Sequence, residues 1–239
     1  MSQIDILAIG AHPDDVELSV AGTLLKHRAM GFSTGIIDLT QGELGSRGTK
    51  ETRREEAAAA SEILRLSARV NLKMADGFFT HSEENLRLLV EQIRRFKPEI
   101  VLVNAVSDRH PDHGKGSKLA SEACFLAGLR RIETTWEGAK QEAHRPKAVY
   151  HYIQDRYLKP DFAIDVTDYV EQKFDSIKAY KTQFWDPDSS EPKTPISGEE
   201  FFEFLRGRMA EFGRSIGVRY AEGYTVERLP GVDSLFDLR

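Results

Sequence analysis

Short apolar runs alternate with longer amphipathic stretches through the first half of the chain. The run Ile4–Ile9 is rich in β-branched residues and is followed by a glycine, which predicts a buried parallel strand. Across Val16–Met30 the apolar positions suit a helix packed on a sheet, and Gly31 is typical of a helix C-terminus. Gly35–Leu39 predicts a second strand, so the chain opens with a βαβ unit.

The same alternation continues to residue 129 and then becomes less regular. Helices are predicted over 51–66, 83–96 and 115–129, and strands over 70–72 and 99–103. Four strand–helix repeats indicate a mostly parallel sheet with helices on both faces. The later pattern predicts strands over 148–153 and 162–166, helices over 167–184 and 198–217, an exposed loop over 185–197 and a mixed tail over 220–239.

These patterns together predict an α/β, Rossmann-like fold. We expect a single domain over 1–239, with a βα core over 1–130. A C-terminal extension over 131–239 is expected to complete the site with further strands and helices.

Composition narrows the class of protein. Of the 239 residues, 40% are hydrophobic and 30% are charged, which is typical of a folded globular chain. The net charge of −5, without a basic block, argues against a nucleic-acid partner. No apolar run approaches the roughly 18 residues of a membrane span, and the N-terminus lacks the basic region of a signal peptide. The single cysteine, Cys124, is expected to pack in the core, and a cytoplasmic location follows as the default.

Two polar clusters follow predicted strands in distant parts of the chain. His12, Asp14 and Asp15 come directly after the first strand, and His110 and His113 come after the fourth. A doubly wound sheet can place these two strands side by side, so both clusters would meet at one edge. The three nitrogen and oxygen donors typical of a catalytic zinc site would then be His12, Asp15 and His113.

Other interpretations of these residues remain open at this point. Asp14 and Asp15 suit a helix N-cap, and the histidines could be hydrogen-bonded or solvent-facing loop residues. A Rossmann-type nucleotide binder is disfavoured, because the first strand is followed by Gly-Ala-His-Pro-Asp and not by Gly-x-Gly-x-x-Gly. Two carboxylates at that helix start would also repel a phosphate.

The motifs resemble those of a known family. Ala11–Glu17 and His110–His113 look like the signature of the PIG-L/LmbE-like zinc-dependent N-acetylglucosamine deacetylases. The resemblance extends over nearly the whole chain, with further similar segments at Asp38–Glu43, Arg53 and Tyr220–Tyr224. The bacillithiol-biosynthesis branch, whose members remove the acetyl group from N-acetylglucosaminyl malate, is the most similar at Asp76–Phe79, Asp108–Gly116 and Val232–Phe236.

The resemblance implies a role for each residue of the two clusters. Zn²⁺ would be held by His12, Asp15 and His113. The same donors also suit Fe²⁺, which the residues leave open. Asp14 would be the general base for a metal-activated water that attacks the acetamide carbonyl. His110 would stabilise the developing charge, and Asp112 would orient His110 through a hydrogen bond.

The resemblance also points to substrate contacts and assembly. Arg53 and Arg109 are placed to bind substrate, and guanidinium groups would suit a malate-like dicarboxylate. Arg47 and Glu43 are weaker candidates. The expected partner is a small-molecule N-acetylglucosaminide, with no nucleic acid or membrane, and family members are often homo-oligomers, including hexamers. Deacetylation of another N-acetylglucosamine conjugate, or zinc binding without catalysis, stay open as alternatives.

Overall fold

Strands and helices alternate through the first half of the chain. A computed structural model describes residues 3–184, Asp186 and 189–238. The elements up to the fourth helix are β1 (Ile6–Gly10), α1 (Asp15–Ala29), β2 (Thr34–Thr40), α2 (Lys50–Ile63), β3 (Ala68–Met74), α3 (Glu83–Phe96), β4 (Ile100–Val103) and α4 (Pro111–Ala127). The strand β3 is longer than predicted, whereas α3 has the predicted bounds.

The second half contains elements that the sequence did not predict. The remaining elements are β5 (Thr135–Trp136), β6 (Ala139–Lys140), β7 (Ala148–Tyr152), β8 (Phe162–Asp165), α5 (Val170–Lys178), α6 (Glu200–Ser215) and β9 (Ala221–Val226), with 3-10 turns at Thr167–Tyr169 and Leu235–Asp237. The first of these turns and α5 replace the long helix predicted over 167–184. Residues 185, 187 and 188 of the predicted loop, and residue 239 of the predicted tail, lie outside the described residues.

The seven-stranded sheet has the order β3-β2-β1-β4-β7-β9-β8. β1 pairs in parallel with both β2 and β4, so the first and fourth strands are neighbours as predicted. β9 lies antiparallel between β7 and β8, where the sequence predicted only a mixed tail. The segment Ala221–Val226 contains glutamate and glycine, which are depleted in strands, so its cross-strand partners and not its local pattern specify it.

Alternate residues of the central strand point into two separate cores. In β1, Leu7 and Ile9 belong to a cluster with α3 and α4, whereas Ile6 and Ala8 pack on the other face with α1. This alternation is that of a strand covered on both sides, and it confirms the prediction of helices on both faces. Cys124 is buried in the first of these cores. In the described part of the chain, no helix is both long and apolar enough to cross a bilayer.

The carboxyl ends of β1 and β4 lie at the same edge of the sheet, because the two strands are parallel neighbours. α1 begins at Asp15, within the first polar cluster. α4 begins at Pro111, earlier than predicted, and proline is favoured at a first helical position because no partner is needed there for an N–H. Asp112 and His113 therefore lie in the first helical turn and not in a loop, while His110 is the N-cap.

Candidate metal centre

The loop after β1 places its two aspartates differently. Asp14 is the N-cap residue of α1, but its side chain makes no capping hydrogen bond. Its φ of 110° is strained for a residue other than glycine, and such strain is concentrated at functional sites. The carboxylate of Asp15 closes the turn by accepting from the backbone N–H of His12 at 3.0 Å. The side chain of Asp14 is therefore not used as a helix cap.

Asp15 is held from several sides near the ends of β1, β4 and β7. Its Oδ2 accepts from Nδ2 of Asn104 at 3.0 Å, and its Oδ1 accepts from Nε2 of Gln154 at 3.1 Å. Nε2 of His113 lies 3.0 Å from the same Oδ1. Burial opposes ionisation, but His113 and His12 hold the pKa of Asp15 well below its usual range. Asp15 is thus a fixed anion beside two imidazoles.

Each of the two imidazoles has a second carboxylate on its far side. Nε2 of His12 lies 3.0 Å from Oδ1 of Asp76, while Nδ1 of His12 faces Asp15 at 3.7 Å. Nδ1 of His113 lies 2.5 Å from Oδ2 of Asp108, which leaves Nε2 toward Asp15. In metal sites, the ring nitrogen that does not ligate is commonly held by a carboxylate in this way. The two inward nitrogens both face Asp15, so the arrangement fits a metal ion between them.

Further donor atoms lie close to the same centre. Ring nitrogens of His12, His110 and His113 lie within 4.8 Å of one another. A second group with the same spread comprises His12, Asp76 and Asp112. Imidazole and carboxylate donors of this kind fit a divalent ion such as zinc or iron. The region is therefore a possible metal centre on the chemistry of its donors as well as on their spacing.

The electrostatics of the cluster favour a bound cation. Burial opposes protonation of His113, yet Asp15 and Asp108 raise the pKa of its imidazole to about 9. For His12, burial again opposes protonation, but three carboxylates raise the pKa well above its usual range. The carboxylates around these two rings therefore attract positive charge, which a divalent ion supplies more fully than protons do.

Asp14 is paired with an arginine that the sequence predicted as a substrate contact. Nη1 of Arg53, on α2, lies 3.2 Å from Oδ2 of Asp14 and donates to the carbonyl of Pro13 at 2.9 Å. Burial raises the pKa of Asp14 to about 7, although Arg53 opposes the shift. A carboxyl with such a pKa can exchange a proton near neutral pH, as a general base must.

The carboxylate of Asp112 does not orient His110, contrary to the sequence-based prediction. Only the backbone N–H of Asp112 donates to Nδ1 of His110, at 3.3 Å. The carboxylate turns away, so that Oδ1 lies 2.5 Å from Nζ of Lys115 and Oδ2 accepts from the N–H of Gly77 at 2.8 Å. Oδ2 is also 3.4 Å from Nε2 of His12. The carboxylate does not contact His110 because Lys115, Gly77 and His12 hold it instead.

A pocket of about 400 Å³ opens above the cluster. Its base is formed by residues of both polar clusters, and its walls include the loop 41–49 between β2 and α2 as well as α6. The cationic lining residues in the described part of the chain, besides the histidines, are Arg47, Arg53, Arg109 and Arg208. An anionic base under a cationic wall suits a polar small molecule that carries acidic groups.

The predicted substrate residues differ in their placement. Arg47 is buried, and its Nη2 donates to a serine hydroxyl before α6 at 2.6 Å. Arg109 is exposed, and its Nε lies 2.9 Å from Oδ2 of Asp155. Glu43 is not part of the pocket lining, and its carboxylate accepts from the backbone N–H of Asp76 at 2.9 Å. Glu43 therefore supports the loop of Asp76, and its contact with a substrate stays a prediction.

Sequence reasoning gave no role to several polar residues that hold the cluster in place. They are Asp76, Asn104, Asp108 and Gln154. Asp76 follows β3, Asn104 and Asp108 follow β4, and Gln154 follows β7. Their common signal is a position just beyond the carboxyl end of a strand, where open α/β sheets form their sites.

Comparisons with known proteins agree with this fold. The sequence model of the family described as PIG-L, GlcNAc-PI de-N-acetylase, matches residues 7–124. The crystal structure of the conserved protein TT1542 from Thermus thermophilus matches with a TM-score of 0.86 and 35% identity, over 98% of this chain and 99% of that chain. Diacetylchitobiose deacetylase of Thermococcus kodakarensis is 28% identical over 95% of this chain and 84% of its own length. Uncharacterized deacetylase YaiS of Escherichia coli is 32% identical over 50% of this chain and 67% of its own length.

The segment matched by the family contains both polar clusters. It runs from β1 through most of α4, and so includes every residue predicted to hold a metal. Two relatives found independently of the family model are also named deacetylases. The chain therefore belongs to the PIG-L family, and it is a hydrolytic N-deacetylase.

Proposed function

We propose that the protein removes the acetyl group from an N-acetylglucosaminide, and that this substrate is N-acetylglucosaminyl malate in bacillithiol biosynthesis. The observation that supports a hydrolase most directly is that Asp14 lines the same pocket as His12 and His113, whose inward nitrogens face the neighbouring Asp15. A base next to metal donors is the arrangement of metal-assisted hydrolysis. A relative named diacetylchitobiose deacetylase supports an acetylated sugar as the substrate.

His12, Asp15 and His113 are the residues that would hold the metal, with zinc as the proposed ion. The fit rests on the outer carboxylates, which hold the far nitrogen of each imidazole and leave the other nitrogen facing Asp15. When bound, such an ion lowers the pKa of water and polarises an amide carbonyl. Iron(II) suits the same donors, and metal analysis of protein purified from cells would distinguish the two.

Asp14 is proposed as the general base. Its pKa, raised to about 7 by burial, lets it accept a proton from water near neutral pH. The guanidinium of Arg53 favours the carboxylate form and so keeps Asp14 competent to accept. The proton held on Asp14 is then available to the leaving amine, so that one residue serves both proton transfers.

His110 is proposed to donate a hydrogen bond to the reacting carbonyl oxygen. Its Nδ1 accepts from the backbone N–H of Asp112, so the proton of the neutral ring lies on Nε2. Burial and the neighbouring imidazoles of His12 and His113 lower the pKa of His110, which keeps the ring neutral at pH 7. A fixed N–H donor at a developing oxyanion is a large source of transition-state stabilisation. Asp112 contributes through this backbone contact and through His12.

The walls of the pocket support an acidic substrate. Guanidinium groups bind carboxylates with two parallel hydrogen bonds, and Arg47 and Arg109 both line the pocket. Its volume of about 400 Å³ is in the range of sites for small molecules. Arg53 is proposed to act on the substrate as well as on Asp14, because its guanidinium also lines the pocket.

The C-terminal part of the chain is proposed to complete the site within the same domain. Gln154 holds Asp15, while Phe201 and Leu205 of α6 line the pocket, so residues beyond 130 contribute to both. By resemblance to the family, we propose that the active form is a homo-oligomer. Analytical ultracentrifugation of the zinc-loaded protein would test this, because a monomer at working concentration contradicts it.

A substrate panel tests the proposed function. Zinc-loaded protein is assayed for amine released from N-acetylglucosaminyl malate, N-acetylglucosaminyl inositol and N-acetylglucosamine, and we expect the highest kcat/KM with the malate conjugate. Asp14→Asn should retain zinc and lose turnover, whereas His113→Ala should lose zinc as well. Zinc binding without amine release from any of the three would instead support a non-catalytic zinc protein.

A further inference from the structure

Arg208, on α6, is a cation without an anionic partner in the wall of the pocket. Its Nη1 atom is shielded from water and has no hydrogen-bond partner among the described residues. The guanidinium carbon lies 5.1 Å from the ring centre of Phe204, which is a weak contact for a charged group. Buried polar atoms are nearly always paired, so an unpaired guanidinium atom beside a ligand pocket calls for a ligand.

The carboxylates near Arg208 are each engaged by another side chain. Three of them are close enough to favour its charged form, against the burial that lowers its pKa. The pairs that they already form are Asp155 with Arg109 at 2.9 Å, Asp108 with His113 at 2.5 Å, and Glu222 with Lys173 at 2.6 Å. None of the ion pairs in the described part of the chain includes Arg208. Its charge is therefore not neutralised by direct pairing within the described protein.

We propose that Arg208 binds an oxyanion, a carboxylate or a phosphate, on the group attached to the substrate's sugar, and thereby selects acidic over neutral conjugates. This inference rests on the proposed function. Sequence reasoning had no means to single out Arg208, because nothing in the pattern of α6 distinguishes it from the exposed arginines around it. Arg208 stands out only in the structure, where the nearby carboxylates are all engaged by other side chains.

The other pocket arginines are less free to take this role. Arg53 is engaged with Asp14, and Arg109 with Asp155. Arg47 is the second candidate cation, because its Nε is buried without a partner while its Nη2 is fixed by a hydroxyl. An oxyanion bound to Arg208 would relieve the desolvation of an unpaired charge, so its binding should be stronger than at a solvated arginine.

Steady-state kinetics of Arg208→Gln test the proposal. Glutamine has a helix propensity similar to that of arginine, so α6 should be retained. We expect KM for N-acetylglucosaminyl malate to rise about 10- to 100-fold, as for the loss of a charged hydrogen bond, with kcat and turnover of N-acetylglucosamine unchanged. Arg208→Lys keeps the charge but cannot form two parallel hydrogen bonds, so its KM for N-acetylglucosaminyl malate should lie between those of wild type and Arg208→Gln.

Arg206→Gln is the matched control on the same helix. Arg206 is paired with Glu171 at 3.0 Å and is not part of the pocket lining, so this variant should behave as wild type toward both substrates. An equal loss on the acidic and the neutral substrate in Arg208→Gln would assign Arg208 a structural role and overturn the proposal. No change on either substrate would overturn it as well.

A binding measurement separates the subsite from the proposed function. Isothermal titration of zinc-loaded protein with L-malate and with inorganic phosphate should show binding to wild type that is lost in Arg208→Gln. Preference for phosphate would indicate a phosphorylated conjugate, and preference for malate a carboxylate. Failure of wild type to bind either anion, or equal binding by the variant, overturns the subsite. Absence of amine release with Arg208-dependent binding intact would overturn the proposed deacetylase substrate alone.

Discussion

Arg53 and Asp14 form a buried ion pair between the first turn of α2 and the loop after β1, with Nη1 lying 3.2 Å from Oδ2. The loop 41–49 makes room for this arginine, since a Cβ at Gly42 would lie 3.1 Å from the same Nη1. Gly42 also has a φ of +65°, which favours glycine on its own account. Gly42 therefore leaves room for the side chain that favours the charged form of Asp14.

Removing Arg53 should shift the pH dependence of catalysis. The base must be ionised, so kcat/KM should fall on the acidic side of the pKa of Asp14. Burial raises this pKa to about 7, and a bound metal ion would lower it from there. Arg53→Gln removes a cation that favours the carboxylate, so the acidic limb should move to higher pH and activity at neutral pH should fall. Arg53→Lys keeps the charge and should move the limb less. A pH profile of Arg53→Gln with an unshifted limb would contradict the pairing.

The outer carboxylates should control metal affinity without touching the ion. Asp76→Asn and Asp108→Asn keep the shape of the side chain but remove the charge that holds each imidazole. Loss of such a partner typically weakens metal binding about 10- to 100-fold. Asp175→Asn, at an exposed position on α5, is the control for loss of one negative charge. Competition with a chelator would measure the affinities, and values equal to that of the control would refute the role of these carboxylates.

Local patterns in the sequence were sufficient for the parallel half of the fold. Strands such as Ile6–Gly10 are apolar on both faces and are followed by helices with clear termini, so their type and order could be predicted from the sequence. The strand Ala221–Val226 could not, because it carries glutamate and glycine and is defined by partners more than fifty residues away along the chain. Its position between β7 and β8 is a property of the assembled sheet.

For the candidate site, the sequence likewise predicted which loops meet but not which partner each side chain has. His12 and His113 could be placed together because adjacent parallel strands bring their loops to one edge. The roles of Asp76 and Asp108 could not be predicted, since each depends on which nitrogen of a histidine it faces. The direction of Asp112 depended on a helix start that was placed four residues too late. The pattern of apolar and polar positions does not specify the direction of a side chain within a turn.

Removing one member of the buried pair Lys173–Glu222 should destabilise the protein more than removing both charges. Nζ of Lys173 lies 2.6 Å from Oε1 of Glu222, and both side chains are buried. Lys173→Met leaves a buried carboxylate without its cation, which should cost about 3–5 kcal/mol in the free energy of unfolding. Urea denaturation should show the double variant Lys173→Met with Glu222→Gln to be more stable than the single variant, because the uncompensated charge is gone.

The exposed pair Arg206–Glu171 is the control for this cycle. Its two charges are also within hydrogen-bond distance, at 3.0 Å, but they are solvated. Arg206→Met should therefore change the free energy of unfolding by no more than about 1 kcal/mol. If Lys173→Met lowered the free energy of unfolding by an equally small amount, the predicted effect of burial on the Lys173–Glu222 pair would be wrong.

Zinc affinity should increase with pH across the neutral range. Without an ion, Asp15 and Asp108 raise the pKa of His113 to about 9, so its ring is protonated at pH 7 and must lose a proton to ligate. Each released proton should weaken binding about tenfold for every unit of pH below that pKa. Asp108→Asn removes one of the groups that raise this pKa, so the variant should bind zinc more weakly but with a shallower pH dependence.

Calorimetry can count these protons directly. Zinc titrations in two buffers with different ionisation enthalpies should show proton release at about pH 7 for wild type, and less release for Asp108→Asn. The exposed variant Asp175→Asn should release as many protons as wild type, since Asp175 is exposed on α5 and is not part of the pocket lining. Zinc binding with no proton release would contradict the assignment of His113 as a ligand that is protonated without zinc. The same release in Asp108→Asn would contradict the influence of Asp108 on the charge of His113.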